Sequence, residues 1–254
     1  MSPFPFTDTL PPSMFEQQNP YAVGAPAITV ADNERTAFIR RTYTHLSGAV
    51  LALVALEVVL FNVVPADTMF SLVRTMTAGY GWLLVLGAFM GVSWMARSWA
   101  SSDTSKGLQY LGLGVYVCAN AVLLLPLLYM SINFIGPELP VAAAAITSVT
   151  FMGLTVFVFA TKADLSGWGK YLAIAGIVAM AMIVASIVIG FNLGILFSGA
   201  MIGLMCGYIL YDTSNILHHY RTDQHVAASL SLFASVVTLF WYILRLMIAL
   251  SGRD

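Results

Sequence analysis

Charge is what this chain has least of. Asp, Glu, Lys and Arg make up 9% of its 254 residues, where ordinary soluble domains carry about 25%. Hydrophobic residues make up 59%, and the mean hydropathy is +0.85. A soluble fold of this length could not hide that much apolar surface, because much of any folded surface still meets solvent. Lipid removes the limit. The net charge of −1 supplies no basic patch, which argues against a nucleic-acid partner. Cysteine is scarce too. Cys118 and Cys206 both lie inside apolar runs and read as small buried hydrophobes rather than a disulfide. The chain also lacks an HExxH metal motif, a Gly-x-Ser-x-Gly elbow and a lysine inside any apolar run that could form a Schiff base. These absences argue against an enzyme, a metal or cofactor site, and a retinal protein.

What is present is a series of long apolar runs. They fall at about 43–64, 79–97, 108–131, 140–161, 170–191, 194–217 and 227–250, and each has the roughly 20 residues that span a bilayer as a helix. The expected fold is therefore all-α, an integral membrane bundle of seven transmembrane helices over residues 41–254. Only FNLG separates the fifth run from the sixth. Residues 1–40 differ in kind, being rich in proline and polar residues. They are expected to form a disordered or loosely docked tail. Basic residues set the orientation. Arg35, Arg40, Arg41, Arg97, Lys106, Lys162, Lys170 and Arg221 fall on the side of the N-terminus, against Arg74 and Arg253 on the other. That puts the N-terminus in the cytoplasm and, after seven crossings, the C-terminus in the periplasm. Gly199, Gly203 and Gly207, and also Gly87 and Gly91, repeat at spacing four, a pattern that reads as close helix packing.

Ionisable residues inside hydrocarbon are costly, about 2.5–3.5 kcal/mol each on insertion scales, and so need a reason. Three lie well inside the runs: Glu57, Asp212 and Arg245. On the last run, Ser231, Ser235, Thr238, Tyr242 and Arg245 follow steps of four, three, four and three, which is one helical face. That helix is expected to turn this stripe inward and an apolar face to lipid. Asp212 and Asn215 share a face of the sixth run. Depth at about 1.5 Å per residue lets Asp212 meet Ser235 near one membrane face. By the same measure Glu57 can pair with Arg245 near the other. Two roles stand open for the first cluster: a structural contact that fixes helix register, or a proton-sensitive latch or ion path built from Asp212, Ser235, Asn215 and Thr238. His218, His219 and His225 flank Asp223, but their spacing matches no zinc pattern.

The segment GYILYDTSNILHH at 207–219 resembles the signature of the Bax inhibitor-1 family. ASLSLFASVVTLFWYILRL at 228–246 is similar to the family's following helix, and TKADLSGWG at 161–169 to its loop between the fourth and fifth helices. In the family's calcium-leak members, the resemblance implies, two aspartates on the sixth and seventh helices share a proton and form a pH-sensitive closure. Asp212 matches the first, the second falls on Ser235, and the family's asparagine falls on Thr238. A glutamate of those members' second helix has no counterpart in GWLLVLGAFMGVSWMA. The serine and the closing Ser-x-Arg-Asp resemble the bacterial YccA branch, which implies an inner-membrane partner, modulator and substrate of the AAA protease FtsH. The tail around Pro12, Phe15 and Tyr21 is then the expected partner-binding element. The alternative implied role is a calcium or cation leak gated around Asp212.

Overall fold

In a membrane no water satisfies the backbone, so each spanning segment must close its own hydrogen bonds as a helix. A computed structural model describes residues 26–102 and 105–252. The helices are α1 (Asp32–Val63), α2 (Ala66–Thr77), α3 (Gly81–Ala100), α4 (Lys106–Phe134), α5 (Glu138–Thr161), α6 (Gly169–Ile189), α7 (Gly194–His218) and α8 (His225–Ser251), with a 3₁₀ turn at Ser166–Trp168. All except α2 are long and apolar enough to cross a membrane, seven spans among the described residues. The chain is a seven-transmembrane helical bundle.

Local chemistry sets the helix ends. Pro65 and Pro137 precede α2 and α5, where a missing N–H does no harm. The Ser105 hydroxyl accepts from the Leu108 N–H at 3.4 Å and caps α4. Gly190, at φ 84°, ends α6 in the left-handed region that favours glycine. The FNLG break is therefore a true boundary between two helices.

Three features differ from the sequence reading. First, α1 starts at Asp32, inside the tail expected over 1–40. Asp32 and Glu34 lie in its first turn, where acids complement the helix dipole. This polar turn carries the helix beyond the apolar run that marked it in the sequence. Ala27 is fully buried, and its N–H donates to the Tyr220 carbonyl at 2.9 Å. Ordered chain thus begins before α1. Pro12, Phe15 and Tyr21 lie outside the described residues. Second, the connection after α1 contains α2, which is too short to span. Met69, Val73 and Met76 are its buried face, and Met69 and Val73 pack with Leu125 of α4, while Asp67, Arg74 and Thr75 face outward.

Third, α8 has no broad lipid face. It packs against α1, α3, α4, α5 and α7, and Leu232, Phe233, Leu239 and Leu244 are wholly buried. A helix that is apolar around most of its circumference is a central one. The Ser229 hydroxyl donates to the Thr42 carbonyl of α1 at 2.8 Å and fixes that pairing.

The glycine repeats follow their reading at one member. Space is open around a Cβ at Gly87, Gly91, Gly199 and Gly203, while at Gly207 a Cβ would lie 3.0 Å from the Leu172 side chain of α6. A closer backbone approach is at Gly112 of α4, where a Cβ would lie 2.5 Å from the Ala96 carbonyl oxygen and 2.8 Å from the Ala100 nitrogen of α3. Both contacts are backbone and cannot rotate away. Gly112→Ala is expected to lower stability by about 1–3 kcal/mol, and Gly87→Ala to change it by less than about 0.5 kcal/mol. Unfolding of the purified protein in mild detergent measures both, and equal effects would contradict the α3–α4 packing.

Candidate functional site

The site forms where the three motifs meet, at the end of the bundle that holds the start of α1. The first motif ends α7, the second lies in α8 beyond a six-residue connection, and the third spans the loop after α5 and the 3₁₀ turn. Lys162, at φ 51°, ends α5 in a left-handed turn. The Ser214 hydroxyl of α7 then holds the loop from both sides: it donates to the Ala163 carbonyl at 3.0 Å and accepts from the Leu165 N–H at 2.8 Å. Asp164 accepts from the Ser166 N–H at 3.0 Å and lies 3.4 Å from His219 Nε2. The Ser166 donors, with help from His219, pull this carboxyl down from 3.8 to about 2, so it is ionised at neutral pH.

Asp212 is the centre of the cluster and is 5% exposed. The Ser231 hydroxyl donates to its Oδ1 at 2.8 Å, and the Ser235 hydroxyl to its Oδ2 at 2.7 Å. Both oxygens thus hold a short bond to α8, one turn apart. These bonds tie α7 to α8 at a fixed register.

Asp212 is also part of the wall of an open cavity of about 470 Å³, with Ser166, Tyr211, Asn215, Tyr220 and Gln224. Asn215 is half-buried there, and its carbonyl accepts from the N–H groups of His219 and Tyr220, which ends α7. Tyr220 lies in the connection to α8. Burial pushes its phenol up to about 12, the Asp212 charge adds to the rise, and a hydrogen bond with Ser231 and the charge of Arg97 work against it. Deeper along both helices the neighbours of this cavity are apolar. Met205 and Ile209 of α7 and Val237 and Leu239 of α8 are all buried.

The other expected site residues part company. The Thr238 hydroxyl donates to the Ala234 carbonyl of its own helix at 2.8 Å and takes no part in the cluster. Glu57 and Arg245 form no ion pair among the described residues. Both carboxylate oxygens of Glu57 are buried without a hydrogen-bond partner. Their depths match, but their directions around α8 do not. Arg245 lies on the stripe of Tyr242, whose ring meets Phe197 of α7. Glu57 lies on the side of Val236, Val237 and Phe240. The three histidines also separate. His218 Nδ1 is 3.0 Å from the Ser214 carbonyl, His219 meets Asp164, and the His225 ring lies 5.0 Å from that of His45.

Ser231 belongs to the site as fully as Ser235. The stripe contained it, but depth matching favoured the residue one turn deeper. Ser214 gave no signal in the sequence, because its partners are backbone groups of a distant loop.

Residues 35–252 match the family described as Inhibitor of apoptosis-promoting Bax1. The chain is 27% identical over 232 residues to Protein LIFEGUARD 3 of Arabidopsis thaliana, covering 89% of each chain. It is 28% identical over 234 residues to Bax inhibitor 1 of Schizosaccharomyces pombe, covering 90% of this chain and 82% of that one. An uncharacterised protein of Helicobacter pylori is 27% identical over 247 residues, covering 95% of this chain and 99% of its own.

Asp212→Ala removes the acceptor of one buried and one half-buried hydroxyl. It is expected to destabilise the protein by about 1–3 kcal/mol, and Ser235→Ala by about 1 kcal/mol. A double-mutant cycle between these two positions is expected to give a coupling of at least about 0.5 kcal/mol. Unfolding in detergent measures it, and a coupling of zero would remove the bond between α7 and α8.

Proposed function

The chain belongs to the Bax inhibitor-1 family, and from that premise we propose that it acts without catalysing a reaction, as a membrane partner and modulator of an FtsH-type protease. The observation that carries this reading is that each Asp212 oxygen already holds a hydroxyl of α8. Two like carboxylates in contact share a proton and so respond to pH. Here the second position is a serine, and both Asp212 oxygens are occupied by hydroxyls of α8. This favours a bundle held in one register, which presents a stable surface. The YccA-like serine at Ser235 and the proline-rich segment 1–25 favour a protease of this kind as the partner. In this reading the chain lies in a bacterial inner membrane. Its N-terminus is cytoplasmic, its C-terminus periplasmic, and the segment around Pro12, Phe15 and Tyr21 makes the contact.

Co-purification from membranes tests the proposal. The full chain is expected to retain the protease, and a chain lacking residues 1–25 to lose it. Unchanged association of the shortened chain would remove the tail's role. No association of the full chain would overturn the reading.

One observation favours a second reading, a pH-sensitive calcium or cation leak. Asp212 and Asn215 line a cavity open at one end of the bundle, as the mouth of an ion path would require. A calcium ion takes six to eight oxygen ligands, and here one carboxylate supplies the charge, which ranks this role second. Calcium flux into liposomes is the measurement. A leak of this kind is expected to fall at least about tenfold in Asp212→Asn, and flux indifferent to that change would exclude it.

A further inference from the structure

Glu57 lies at the opposite end of the bundle from Asp212, in the last two turns of α1. It sits in the wall of a second cavity of about 460 Å³ enclosed by α1, α4, α5 and α8. Leu124 of α4 and Val237 of α8 are its deep, buried side. Val54 and Val58 of α1 and Val141 of α5 are exposed and form its lipid-facing rim. The cavity therefore opens sideways, toward hydrocarbon, between α1 and α5.

The carboxyl in this wall has no bonding partner among the described residues. Glu57 is 9% exposed, and neither of its oxygens has a hydrogen-bond partner among them. The polar neighbours turn away from it. The Thr147 and Ser148 hydroxyls donate to the Ala143 and Ala144 carbonyls of their own helix, and the Asn62 amide to the Val58 carbonyl. Arg245 lies on another face of α8. An acid kept in hydrocarbon with no partner is costly, and such residues mark sites of function. What this one lacks is a donor or a cation, and what surrounds it is apolar. A hydrated divalent ion does not suit the place, since one carboxylate cannot replace its shell of oxygens.

We propose that this cavity binds a lipophilic ammonium, a primary amine on an alkyl or aryl chain. The chain enters from the bilayer between α1 and α5 and fills the apolar walls, and the ammonium pairs with the Glu57 carboxylate. The chemistry selects for charge sign as well as for greasiness. An alcohol of the same length fills the walls and leaves the acid without a counter-ion. Like many small-molecule sites, the pocket combines apolar walls with one polar group that fixes orientation.

The test uses the full chain in lipid nanodiscs, with octylammonium as the probe and octanol as its neutral counterpart, read by the shift in the thermal unfolding midpoint with ligand concentration. Wild type is expected to bind octylammonium at least about tenfold more tightly than Glu57→Gln does, and octanol is expected to show no difference between the two. Ala144→Phe, which plugs the rim while leaving Glu57 in place, is expected to abolish amine binding. It carries the test if Glu57→Gln fails to fold. Equal amine affinity in wild type and either variant would overturn the proposal. So would octanol binding as tightly as octylammonium in wild type, because the cavity would then hold any lipid chain.

Discussion

The structure depends on how α8 is held at the centre of the bundle. In lipid there is no strong hydrophobic force between helices, so packing and interhelical hydrogen bonds must order them. The two serine bonds to Asp212 do this for α8 against α7, and Ser229 does it against α1. Apolar packing alone would leave α8 free to slide or rotate, since many of its faces are equally greasy. Polar contacts at three positions along one half of the helix give it a single register. The cavity by Asp212, the packing against α5 and the side that α8 turns to Glu57 all follow from that register.

The buried acids show two ways a membrane protein can hold a carboxyl. Asp212 sits near the end of its helix, in the wall of an open polar cavity, and each of its oxygens holds a serine hydroxyl. Glu57 sits among valines and leucines and its oxygens are unused. Insertion cost is paid at both places, yet only one shows its compensation within the chain. The contrast separates a residue that builds the fold from one whose partner comes from outside it.

Much of this was legible from residues alone, and for a physical reason. Spanning length and apolar composition leave few alternatives in lipid, so the seven runs translate directly into seven helices. The Asp212–Ser235 contact was legible because depth and helical face agreed on adjacent helices joined by a short connection. The Glu57–Arg245 pairing was not formed, because depth fixes height and says nothing of direction around a helix. The central place of α8 was obscured for a related reason. In lipid an apolar face does not reveal whether it meets a neighbour or the bilayer. Helix α2 was missed because a short amphipathic helix leaves no spanning run. The polar start of α1 was missed because hydropathy marks the membrane and not the helix.

The backbone pair between Pro26 and Arg221 gives the leading segment an unusual mechanical position. It joins the stretch ahead of α1 to the connection between α7 and α8, beside Tyr220 and a few residues from Asp212. A pull on the chain ahead of Pro26 is therefore borne first by that connection, before any load reaches α1. The hydrogen bond from the Ala27 N–H to the Tyr220 carbonyl is the first thing such a force would break.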